Sequence, residues 1–215
     1  MYMNYEHPCS KIRITSYLSG SSLNFTHLVT GIRLMTTDMN FPTLASLEFF
    51  PYLDAEGKLL TTTQSKIGVY GIFNQEQQLQ FVGYSRDVYS SLKQHLVRRP
   101  HCCYWLKLQT IERPSRTLLE QIRDAWITEN GITPPGNGPD APLWNEPINV
   151  KPAMTVEELT RYQSDNLEDI DKEKLLKNVA RRVESQILAE LEKRGVQEEI
   201  RFNPKLKSSG LLDLK

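Results

Sequence analysis

The chain has 215 residues, with 26 Lys+Arg against 26 Asp+Glu and a formal net charge of zero. That balance excludes the global basic field that draws a protein to nucleic acid, and between residues 40 and 150 the count is again even, 10 basic against 11 acidic, so a nucleic-acid site here has to be a local patch. No apolar run approaches the ~18 residues that span a bilayer, and no basic stretch followed by an apolar one opens the chain, so neither a membrane span nor a secretory signal is expected. Three cysteines, Cys9, Cys102 and Cys103, with no CxxC spacing, point to reduced thiols and a cytoplasmic location. The adjacent Cys102 and Cys103 read as two small apolar residues on a strand, with a redox pair or zinc ligands as the alternative.

Residues 1–38 have no sustained hydrophobic period and few charges. The expected native start is Met39, preceded by an extension or a disordered tail that adds little to folding. Ordered strands at Ile12–Leu18 and Leu28–Leu34 are the alternative. From Asn40 the chain becomes domain-like. Residues 41–59 carry aromatics and prolines and read as a loop or short turn wrapping a core. Ile67–Phe73 and Leu79–Tyr84 read as strands joined by a polar turn at Asn74–Gln78. Ser85 then caps a helix over Arg86–Arg98, with Val88, Leu92 and Leu96 four residues apart and Pro100 as the stop. "CCYWLKLQTI" at 102–111 reads as a third strand. Ser115 caps a second helix to about Asn130, with Leu118, Leu119, Ile122, Ala125 and Trp126 on its buried stripe and Gly131 after its end. The stretch from Ile132 to Pro152 is too rich in Pro and Gly for regular structure and reads as a loop.

The segment 151–215 counts 13 basic and 13 acidic residues. Thr155 and Glu158 form a capping box for a short helix. A longer helix is expected over Ile170–Arg194, with Leu175, Val179, Val183, Ile187 and Leu191 as one apolar stripe, then Gly195 and a tail. Three parts result: 1–38, a domain over 39–150, and a C-terminal helical segment over 151–215. The 170–194 helix is a candidate surface for a protein partner or for self-association, although such a stripe more often packs on its own domain.

The order strand, strand, helix, strand, helix, with Gly68-Val69-Tyr70 on the first strand and Phe81-Val82-Gly83 on the second, resembles the GIY-YIG nuclease superfamily over about residues 64–145. "LQFVGYSRD" and "PPGNG" look closer still to the cyanobacterial stand-alone proteins of this type and to the nuclease-like N-terminal domain of plant chloroplast monothiol glutaredoxin. The resemblance implies an α+β fold: a small domain with a short mixed or antiparallel three-stranded sheet flanked by helices, here followed by the amphipathic C-terminal helix. It also implies metal-dependent hydrolysis of DNA phosphodiester bonds, with Mg²⁺ or Mn²⁺ on a glutamate polarising the phosphate. Carried over residue by residue, Tyr70 matches the first tyrosine, His95 the helix histidine and Glu120 the metal carboxylate. Asn145 or Asn137 matches the late asparagine. Arg86, Lys93, Arg98 and Arg99 are the candidate phosphate contacts. Plainer readings stand beside these: Tyr70 as a core-edge tyrosine, His95 as a structural helix-end histidine near the dipole, Glu120 paired with Arg116 or Arg123 on the helix surface, and Lys93, Arg98 and Arg99 as a solvated helix end complementing its dipole.

Two departures stand against an intact site. The second tyrosine of the family is Phe81, which has no hydroxyl. The arginine expected ten residues later is Ser91, and Lys93 lies about 200° round the helix from it. Losing one such charge-stabilising donor typically costs roughly a hundredfold to a thousandfold in rate. Two functions are therefore expected. One is a nuclease-like module with a partly degenerate site, weak or non-catalytic, that binds nucleic acid or protein. The other is a metal-dependent endonuclease in which Arg86 replaces the missing arginine.

Overall fold

The hairpin expected at residues 67–84 forms one side of a four-stranded antiparallel sheet in the computed structural model, which describes residues 41–215. The readings of residues 1–38 lie outside those described residues. The strands are β1 (Phe50–Pro51), β2 (Ile67–Phe73), β3 (Leu79–Ser85) and β4 (Trp105–Ile111), in the order β1-β4-β2-β3. The α+β class is as expected, but the sheet has a fourth strand: Phe50 pairs with Leu106 and Pro51 with Trp105. A two-residue strand containing proline carries no alternating pattern, and proline is tolerated there because β1 is an edge.

The turn between β2 and β3 closes on Asn74, whose Oδ1 accepts from the Gln78 amide at 2.8 Å. The first helix, α1 (Val88–Arg98), is capped by Asp87 rather than Ser85; Asp87 accepts from the Ser90 amide. Ser85 instead ends β3 and accepts from the Asp87 amide at 3.0 Å. Val88, Leu92 and Leu96 are buried as their spacing predicts. The strand expected from residue 102 begins only at Trp105, because Pro100–Cys102 forms a 3-10 turn. Cys102 and Cys103 are both buried, and Cys103 is a free thiol. The second helix, α2 (Arg116–Glu129), has Ser115 at its N-cap and buries Leu119, Ile122 and Trp126.

The segment read as a loop contains a 3-10 turn at Pro135–Asn137 and a short helix, α3 (Ala141–Asn145), which buries Trp144. Next come β5 (Ile148–Asn149), α4 (Val156–Tyr162) with the Thr155–Glu158 capping box, and α5 (Asp169–Lys193). Leu175, Val179, Val183 and Leu191 of the expected stripe are buried, joined by Leu176 and Ala180; Ile187 is half-buried. The residues after Gly195 fold back. β6 (Leu211–Leu212) pairs with β5, and the 3-10 turn Pro204–Ser209 lies against α5. The stripe considered for self-association is thereby buried within the unit that runs from Thr43 to Lys215.

Glu198 fixes this tail to the sheet domain. Its carboxylate accepts from the Leu59 amide at 3.0 Å and from the Tyr89 hydroxyl at 2.8 Å, and pairs with Lys93 at 2.9 Å. Among the described residues, no helix is long and apolar enough to cross a membrane.

The candidate site is divided by the sheet

Side chains alternate along a strand, so β2 and β3 sort the candidate residues onto two faces. Cross-strand partners share a face: Tyr70 lies opposite Gly83 and Ile72 opposite Phe81. Tyr70, Ile72, Phe81 and Gly83 therefore point to the side covered by α1 and α3. Tyr84, opposite Val69, points to the other side, where α2 packs.

On the first face Tyr70 and His95 meet. The Tyr70 hydroxyl and His95 Nε2 are 2.9 Å apart, and both side chains are buried. The Phe81 ring lies 4.7 Å from the imidazole and stacks on Trp144 at 4.9 Å, with the planes 5° apart. Burial pushes the imidazole down to about 3, helped by the nearby Arg98 charge, with the Trp144 carbonyl opposing. Nδ1 makes no hydrogen bond of ordinary geometry. Burial likewise raises the Tyr70 phenol well above the usual tyrosine value, with Ser91 and the Arg98 charge pulling it back in part. A neutral phenol held by a neutral imidazole is a structural contact at any moderate pH. Gly83 permits it: a Cβ at that position would stand 2.5 Å from the Phe81 ring and 2.9 Å from the Tyr70 ring.

Ser91, at the position expected for arginine, donates to the Ser85 hydroxyl at 2.8 Å. Its hydroxyl joins the end of β3 to α1 and carries no charge to the site. Asn137 clamps β3 from its open edge. Its side chain accepts from the Val82 amide and donates to the Val82 carbonyl, both at 2.7 Å. Asn145 is exposed and donates to Ala141 in its own helix.

Three of the four expected phosphate contacts are occupied by the chain itself. Lys93 pairs with Glu198. Arg98 donates to the Trp144 carbonyl at 2.7 Å and pairs with Asp213 at 3.0 Å. Arg99 is buried and lies 3.9 Å from Asp140. Arg86 alone is exposed and without an ion pair among the described residues.

On the second face, Glu120 stands at the edge of an open cleft. Its Oε1 accepts from the Tyr84 hydroxyl at 3.0 Å and from Arg116 Nε at 2.9 Å, the i,i+4 pair that the helix spacing offers. Arg123 lies over the Tyr84 ring, 5.4 Å from its centroid. The hydrogen bonds from Arg116 and Tyr84, with the charges of Arg116 and Arg123, hold the Glu120 carboxyl below the usual range. The cleft, of about 320 Å³, is lined by Tyr84, Ser85, Arg86, Ser115, Arg116 and Leu119. The sequence reading places Tyr84 at a strand end and gives it no role at the site. The signal for it was the strand alternation, which puts residue 84 on the face opposite Phe81 and toward the second helix.

Glu120 does not by itself make an all-protein cage for a divalent ion. Mg²⁺ and Mn²⁺ require several oxygens. Glu120 is one carboxylate, with one oxygen already accepting two hydrogen bonds, and its neighbours are arginines. Among the described residues no group of three His, Cys, Asp or Glu side chains could hold a metal.

The sequence is similar to bifunctional monothiol glutaredoxin-S16, chloroplastic, of Arabidopsis thaliana: 34% identical over 98 residues, which is 44% of this chain and 32% of that protein. The matched region thus spans about a third of the relative's length. No family model matches the chain.

Proposed function

We propose that this chain is a nuclease-like module with a degenerate catalytic set, which binds a nucleic-acid backbone and does not cleave it efficiently. The observation that supports this reading is the division of the family's residues by the sheet. Tyr70 and His95 are sealed in an aromatic core and hydrogen-bonded to one another, while Glu120 lies with Tyr84 and Arg116 on the opposite face. A phosphate approaching Glu120 meets arginines and one half-buried phenol, a set suited to holding charge. It does not meet the Tyr70–His95 couple that would have to activate water.

The thiol chemistry in the relative's name is not carried to this chain by Cys103. Burial pushes that thiol up to about 12, and the opposing effects of Arg194, Tyr52 and Arg99 recover only part of the shift. A thiolate is the reactive form, so a buried thiol of this kind is inert near neutral pH.

Incubation with supercoiled plasmid in Mg²⁺ or Mn²⁺ tests the reading. The expected result is nicking at or near background, unchanged by Glu120→Ala. Brisk metal-dependent nicking that disappears in Glu120→Ala would replace this reading with that of an endonuclease using a relocated arginine.

A further inference from the structure

We propose that the cleft beside Glu120 is a metal-independent phosphate site, in which Arg116 and Arg86 contact a nucleic-acid phosphate while Glu120 and Tyr84 act as positioning residues that aim Arg116. This rests on the nucleic-acid-binding reading above and assigns its contacts.

The argument begins with Arg116. Its Nε donates to Glu120 Oε1, so the guanidinium is held by one edge. The side chain is 80% exposed, so the rest of the guanidinium is accessible to solvent. An arginine fixed in this way has lost part of the rotamer freedom that a phosphate contact would otherwise cost, and its fork fits two phosphate oxygens. Tyr84 donates to the same carboxylate oxygen from the opposite element, so the β3–α2 junction sets the position of Glu120 and, through it, of Arg116. Arg86, exposed on the other wall of the cleft, is the one lining cation without a carboxylate partner among the described residues. The cleft also opens at the N-terminal end of α2, where the backbone dipole adds in the same direction.

The same features work against a divalent cation. Both donors occupy Glu120 Oε1, so a metal would have only Oε2 of this carboxylate. Arg116 and Arg123 place positive charge around the carboxylate, which favours an anion and opposes a second cation.

The test uses the full chain and a short fluorescent oligonucleotide, single- and double-stranded, at low salt, with EDTA or with Mg²⁺ at matched ionic strength. The expected affinity is the same in both buffers. Arg116→Gln and Arg86→Gln each weaken binding by about fivefold to tenfold and flatten the dependence on log salt by about one unit or slightly less. Glu120→Gln changes affinity less than either arginine variant, and Mn²⁺ titration followed by electron paramagnetic resonance shows no bound ion that Glu120→Gln removes. Three results would overturn the proposal. One is binding that needs Mg²⁺ and is lost in Glu120→Gln. The second is binding indifferent to both arginine changes. Both of these leave the nucleic-acid reading standing and remove only this site. The third, no binding to either oligonucleotide in any buffer, removes the reading as well. Arg116 and Arg86 are exposed, so thermal melts of the variants should match the parent and separate lost contacts from lost fold.

Discussion

His95 illustrates how burial changes what a residue type is for. In sequence it is a histidine on a helix, where nuclease chemistry would want one. In the fold it faces Tyr70, Phe81 and Trp144 with its ring held neutral. Its pKa is lowered to about 3 on folding, so the unfolded chain takes up the proton first as the pH falls. The stability it contributes is complete above the unfolded value of about 6.5 and is lost progressively as pH falls toward 3. Between about pH 6.5 and about pH 5, where most carboxylates remain ionised, this one group should cost about 1.5 kcal/mol. Urea unfolding at the two pH values measures it. His95→Gln, neutral throughout and still able to bond Tyr70, should flatten the slope whatever its effect on absolute stability. An unchanged slope in that variant would show that the imidazole is solvated or already charged.

Individual elements depend unequally on their own sequence. The helix α5 carries its apolar side chains at a spacing that can be read without a structure, and it buries them where that spacing says. Val183, at the middle of the stripe, is 8% exposed. Val183→Asp would place a carboxylate against the tail segments, at a cost of about 3 kcal/mol or more. The melting temperature should fall by roughly 6–12 °C, with no change of mass in solution. A stable variant that instead shifts from dimer to monomer would place the stripe at an interface between copies. The two-residue strands β1, β5 and β6 are the opposite case. None has a periodic signal of its own, and each exists because a partner strand presents unpaired amides and carbonyls at the right place.

At the scale of the molecule, the C-terminal tail is part of the folded unit. Phe202 and Leu212 are buried, Asp213 pairs with Arg98, and Glu198 serves the Leu59 amide, Tyr89 and Lys93 at once. Burial alone would raise the Glu198 carboxyl. The hydrogen bonds from Lys93, the Leu59 amide and Tyr89 more than offset that and hold it below the usual range, so its contribution is present at neutral pH and lost on acidification. Deleting residues 196–215 should leave the chain unfolded or melting at least ~10 °C lower, since it removes buried side chains and strands several polar groups on α1. A truncated chain that melts like the parent would make the tail an appendage.

The α+β class, the hairpin, both caps at Ser115 and Thr155 and the stripe of α5 were legible in the sequence, because each is decided within a few residues by period, capping chemistry or turn residues. The order of strands and helices was legible for the same reason. The site was not. Tyr70, His95 and Glu120 occur in the expected order along the chain, yet order does not say which face of a sheet each side chain takes or which cations have already found carboxylates. Glu198 and Asp213, more than a hundred residues beyond Lys93 and Arg98, neutralise two expected phosphate contacts. Tyr84, unremarked in the motif, reaches Glu120 only because α2 packs beneath the end of β3. Local rules act over one turn or one strand, whereas the pairing of charges and the sealing of a tyrosine depend on which distant segments the core brings together, and only the tertiary structure decided those.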